Sequence, residues 1–153
     1  MRNFANYTAW ALDPDTQKRR RLYQAGTQAG AGILALMPTP HHLLFARNPV
    51  RFAYDFGLAW PWLDPRDTAD AGALRRFLQR ERIRYVMWQS KGPSVRSDRQ
   101  MQEQTADPIP LAAESARRAL SFRHSLSELA STTTVMQDAD GFIVLDLEQP
   151  RRP

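Results

Sequence analysis

Apolar residues recur at helical spacing between Asp15 and Met37, where Leu22, Ala25, Ala29, Ile33 and Leu36 form one stripe. Asp13-Pro14-Asp15 supplies a cap and a first-turn proline for a helix over 15–37, and Pro38 and Pro40 end it. Gly26, Gly30 and Gly32 fall inside that helix. Each weakens it by about 0.5–1 kcal/mol relative to Ala and lets a neighbour pack closely. His42-Leu-Leu-Phe-Ala46, a short apolar run between breakers, reads as a buried strand. Residues 47–66 fit neither period. Arg47-Asn48-Pro49 reads as a turn, and Pro61 and Pro65 break regular structure toward the end of the stretch.

The next signals are cleaner. Asp67 and Thr68 can cap a helix that runs to about Arg82, with Ala71, Leu74, Phe77 and Leu78 as its buried stripe. Asp67 and Asp70 at its start and Arg80 and Arg82 at its end suit the helix dipole. Ile83 to Gln89 comes directly after it as a strand. Lys91 to Pro110 is a polar loop with room for a helical turn. Leu111 to Ala130 forms a third helix, facing Ala112, Ala116, Ala119, Leu120, Leu126 and Leu129 inward. Thr132–Gln137 and Phe142–Leu147 pair as a hairpin, with Asp138-Ala-Asp-Gly141 as the turn.

Helices alternating with short apolar strands predict an α/β layered sandwich. Its sheet is mainly parallel, joined by crossover helices, and ends in an antiparallel hairpin. The 153 residues suit one domain over 1–153, with 1–14 as a lead-in and 148–153 as a tail.

Composition narrows the classes of function without choosing one. The chain is 42% hydrophobic, as an ordinary globular protein is, which excludes wholesale disorder and fibrous repeats. It has no Cys, so disulfide frameworks, thiolate metal sites and cysteine catalysis are excluded. The longest low-polarity stretch, Ala29 to Met37, is far short of the ~20 residues of a membrane-spanning helix. The first residues lack the pattern of a secretory signal peptide. The net charge is +5, and all of the 21 basic residues except Lys18 and Lys91 are Arg. They are spread over several helices and interleaved with acids, which describes solvated faces better than a nucleic-acid surface.

Each constellation with catalytic overtones has a plainer reading. Gly26 to Gly32 lies in the expected helix rather than after a strand, and no GK[ST] motif comes after it, so it reads as small-residue packing rather than a phosphate loop. His41 and His42 are adjacent, which is awkward for one metal ion. Ser121, His124 and Ser125 share a helix without a nucleophile elbow. Asp64, Asp67 and Asp70 sit where helix capping requires acids, and Asp138 and Asp140 lack the distal Glu of a calcium loop. No catalytic residue, metal site or cofactor is assigned. The least bland stretch runs from Phe45 to Trp62. There Arg47, Arg51, Tyr54, Asp55, Trp60 and Trp62 are the candidate binding residues, able to stack on a sugar or rest at a lipid headgroup, while core packing is the plainer reading of the same stretch.

Several segments together resemble a known family. Tyr7-Thr-Ala-Trp10-Ala-Leu-Asp-Pro-Asp15, Met37-Pro-Thr-Pro40, His42 to Phe45, Tyr54, Leu74 to Leu78, Ile83-Arg-Tyr-Val-Met87 and Phe142 to Leu147 succeed one another in a familiar order. It is similar to that of the C-terminal soluble domains of polytopic membrane glycosyltransferases that use polyprenyl-phosphate sugars, relatives of dolichyl-phosphate mannosyltransferases and aminoarabinose transferase. The resemblance implies a small α/β domain on the extracytoplasmic (periplasmic) face of the inner membrane. It implies a membrane-embedded partner region that carries the catalytic carboxylate, and an accessory role in shaping access of a polyprenyl-phosphate sugar or glycan acceptor. The chain itself would then not be catalytic. The alternative is a small stand-alone cytoplasmic α/β protein that binds a nucleotide, nucleic acid or another anionic ligand.

Overall fold

The computed structural model describes Pro14 and residues 24–37, 43–52, 64–90, 95–139 and 142–150. Its five strands are β1 (Gly32–Leu36), β2 (Val50–Phe52), β3 (Ile83–Gln89), β4 (Thr133–Ala139) and β5 (Phe142–Pro150). They form one sheet in the order β2-β1-β3-β5-β4. β2, β1 and β3 run parallel, while β5 lies antiparallel between β3 and β4. Among the described residues the longer helices are α1 (Ala71–Arg80), α2 (Asp98–Gln104) and α3 (Pro110–Thr132), and a 3-10 turn over Pro65–Thr68 precedes α1. This is the α/β arrangement predicted, with the parallel set and the C-terminal antiparallel hairpin in place.

The sheet is buried on both faces. On one, Leu74, Phe77 and Leu78 of α1 and Phe122, Leu126 and Leu129 of α3 pack on Leu34, Leu36, Val86, Trp88, Leu145 and Leu147. On the other, Ile33, Ala35, Met37, Tyr85, Met87, Phe142 and Val144 cluster with Leu43. Strands covered on both faces carry continuous apolar runs rather than alternating ones. That explains where the first expectation fails. The chain over 24–37 is a set of turns leading into β1, not a helix: Gly26 and Gly30 adopt φ of +76° and +80°, which a helix does not allow. The run Ile33-Leu-Ala-Leu-Met37 satisfies a helical stripe and a two-sided strand equally well, and burial on both sides selects the strand. Residues 15–23 lie outside the described residues.

Other differences are local. The described part of the strand expected at His42–Ala46 is a turn, in which Arg47 and Asn48 donate their backbone N–H groups to the Leu44 carbonyl. The second strand lies instead in Val50–Phe52, within the stretch that fitted neither period. Asp64 caps the 3-10 turn and Asp70 caps α1, the latter accepting from the Ala73 N–H at 2.7 Å, so these two acids take the capping role expected of Asp67 and Thr68. The expected helical turn in 91–110 is a full α2, begun by a capping box between Ser97 and Gln100. In α3 the inward face is Ala113, Ala116, Ala119, Phe122, Ser125, Leu126 and Leu129, while Ala112 and Leu120 are half-buried. Asp138 and Ala139 belong to β4, and Asp140 and Gly141 lie outside the described residues.

Candidate functional site

One cleft of about 700 Å³ opens at the end of the sheet where the parallel strands begin. Gln28, Ala29, Gly30, Ala31 and Gly32 line it from the turn entering β1, Gln79 from the last turn of α1, Arg82, Ile83 and Arg84 from the start of β3, and Leu147 and Glu148 from β5. Because β5 runs antiparallel to β3, its C-terminal half reaches the same edge.

Two backbone features shape the cleft. Arg82 comes just after α1 with φ of +57°, the left-handed conformation usual for glycine past a helix end, and its N–H donates to the Gln79 carbonyl. A non-glycine residue there costs about 1–2 kcal/mol. Gly32 lies directly under Arg82: a Cβ at position 32 would overlap the Arg82 carbonyl oxygen. The second feature is an irregularity between β1 and β3. Gly32 pairs with Ile83 and Ile33 with Tyr85, so Arg84 is an extra residue without a partner in the register. A bulge of this kind turns a side chain away from the alternation of its strand.

Arg84 is the hub of the cleft's polar contacts. Its Nε and Nη2 donate to the two carboxylate oxygens of Asp146 at 3.2 and 3.0 Å, and Asp146 is buried. Its Nη1 donates to Gln28 Oε1 at 2.7 Å and meets Glu148 Oε2 at 2.8 Å. The hydrogen bonds to Asp146 raise the Arg84 pKa above the ordinary arginine range, so the guanidinium is charged at every accessible pH. Its guanidinium carbon also lies 5.1 Å from the Tyr85 ring centroid, and the Tyr85 hydroxyl accepts the Gln28 N–H at 3.0 Å. Gln28 is thereby held at both its backbone and its side-chain oxygen, which leaves its amide NH₂ without a partner among the described residues. Arg82 is exposed and makes no ion pair or hydrogen bond through its guanidinium among the described residues.

Of the residues expected to bind, the two that are described, Arg47 and Arg51, do not line this cleft. Arg47 is a structural residue: its guanidinium donates to the Thr27 carbonyl and hydroxyl, the Gln24 carbonyl and Asn48 Oδ1, tying two turns together. Arg51 pairs with Glu81 at 2.7 Å across the start of the sheet. Tyr54, Asp55, Trp60 and Trp62 lie outside the described residues, as do His41 and His42. The hydroxyls of Ser121 and Ser125 both donate to the Thr68 carbonyl, while His124 is exposed beside Glu128, so no serine–histidine relay forms. Asp64 is held at about 2, chiefly by the hydrogen bond from the Arg66 guanidinium and then by the Arg66 N–H, which is capping chemistry. Among the described residues no cluster of His, Cys, Asp or Glu is suited to hold a metal, and no helix is long and apolar enough to cross a membrane.

Sequence reasoning missed the cleft because its members come from four separate segments. The one available signal was the Arg-Ile-Arg sequence at 82–84 directly after a helix, with no glycine to end it. Compared with family models, curated proteins and solved structures, the chain has no significant match.

Proposed function

We propose that this chain is a non-catalytic, ligand-facing domain of a membrane glycosyltransferase of the type its sequence resembles, placed on the extracytoplasmic face beside the membrane-embedded region. In this reading the domain shapes the approach of the glycan acceptor or the polyprenyl-phosphate sugar, and the bond-making chemistry belongs to the partner region. The observation that supports it is the lining of the cleft, in which Gln28, Gln79, Arg82, Arg84 and Glu148 surround an open volume. Directional donors and acceptors mixed in one concave site suit the hydroxyl groups of a saccharide, each of which both gives and takes a hydrogen bond. Arg84 is committed to Asp146 and Glu148 and is neither a free acid nor a base. It organises the cleft rather than transferring protons.

The test is an NMR titration of the isotope-labelled chain with mannose, a mannose disaccharide and a short-chain polyprenyl-phosphate mannose. Shifts should concentrate at Gln28, Gln79, Arg82 and Glu148 with no turnover of the lipid-linked sugar. Absence of any perturbation at these residues up to tens of millimolar saccharide would overturn the reading, and so would release of mannose by the chain alone.

A further inference from the structure

We infer that the cleft selects an acidic saccharide, its carboxylate or phosphate group held by Arg82. This inference rests on the reading of the cleft as a saccharide site and names the class of sugar. Three observations carry it. Arg82 holds a left-handed backbone conformation that glycine would adopt without strain, at a helix end where glycine is the usual residue. The position therefore carries a side chain that the fold does not need. Second, the two cations of the cleft differ in availability. Arg84 spends its donors on Asp146, Gln28 and Glu148, whereas Arg82 has no partner among the described residues. Third, Arg84 occupies the side-chain oxygen of Gln28, so the amide group left for a ligand is the NH₂ donor. A guanidinium and an amide donor in one cleft lining, both without a partner among the described residues, match the acceptor-only oxygens of a carboxylate or phosphate.

The site is not strongly cationic. Arg84 is paired with Asp146 and Glu148, so attraction at a distance is weak and selectivity comes from hydrogen bonds made on contact. Gly32 fixes the backbone under Arg82, which keeps the anchoring residue in one place.

The experiment compares glucose, glucuronate, glucose 1-phosphate and inorganic phosphate by NMR titration of the wild-type chain, R82Q and R82G. Glucuronate or glucose 1-phosphate should bind at least about tenfold more tightly than glucose, and both substitutions should erase that margin. Which of the two acids gains more identifies the oxyanion. R82G should also raise Tm by about 2–4 °C by relieving the strained backbone, so its loss of selectivity cannot be ascribed to misfolding. Equal binding of glucose, glucuronate and glucose 1-phosphate by the wild type would overturn the inference and leave the saccharide site standing. Binding of inorganic phosphate alone, with no gain from the sugar, would remove the saccharide reading and keep only an anion contact. No binding of any of the four would remove both.

Discussion

Gly32 shows how one residue can fix a larger arrangement. It opens β1, and its missing side chain admits the carbonyl of Arg82, the residue that ends α1 and leads into β3. A methyl group there meets backbone rather than the far end of a flexible side chain, so relief requires β1 and β3 to separate locally. Gly32→Ala is expected to destabilise the protein by about 1–3 kcal/mol, the usual range for overpacking a filled site. Urea unfolding followed by circular dichroism measures it. Gly30→Ala is a useful contrast, because it has open space around it and a φ of +80°. It should cost only the left-handed backbone penalty of about 1–2 kcal/mol and leave the cleft's shape unchanged.

At the scale of elements, the turn before β1 and the turn before β2 are joined by polar side chains rather than by apolar packing. Asn48 is fully buried and uses its whole amide: Nδ2 donates to the carbonyls of Gln28 and Ala31 at 2.8 Å, and Oδ1 accepts from Gln24 and Arg47 at 3.0 Å. Asn48→Ala would leave these buried partners without their shared amide. A loss of about 2–4 kcal/mol is expected, since each buried group left unpaired costs about 1–3 kcal/mol. Thermal unfolding checks it, and a change below about 0.5 kcal/mol would mean that water replaces the side chain. The same elements show what was legible beforehand. α1 and β3 were readable because Leu74, Phe77 and Leu78 keep a helical interval and because Ile83 to Trp88 starts abruptly after it. β1 was not, because a run of five apolar residues has no period and its environment decides it. The cleft was not legible either. The orientation of Arg84 depends on a bulge, which in turn depends on which strand lies beside β3, and the charge on Arg82 matters only once Arg84 is seen to be occupied.

For the molecule as a whole, the sheet order places the strongest protection at its middle. β3 has β1 on one side and β5 on the other, and Val86 and Met87 are completely buried. β2 is a three-residue edge strand with two exposed positions, and α2 buries only Met101. Opening free energies should rank accordingly. Hydrogen exchange followed by NMR is expected to leave the amides of Val86 and Met87 among the last to exchange, with those of β2 and α2 lost earlier. Slower exchange in β2 than in β3 would contradict the layer arrangement. Arg75 contributes to this cohesion by bridging α1 to the Leu147 carbonyl and the Thr133 hydroxyl, a basic residue spent on the fold rather than on a partner.

The position of β5 has a consequence for how the chain is made. It is the last strand of the sheet to leave the ribosome, yet it occupies an interior place between β3 and β4. Until it arrives, β3 carries an open row of backbone donors and acceptors beside an apolar sequence, the surface on which nascent chains associate with one another. Residues 142–150 therefore act as a late seal. A stalled or prematurely released product ending before Phe142 would be a substrate for chaperones and proteases rather than a smaller working domain.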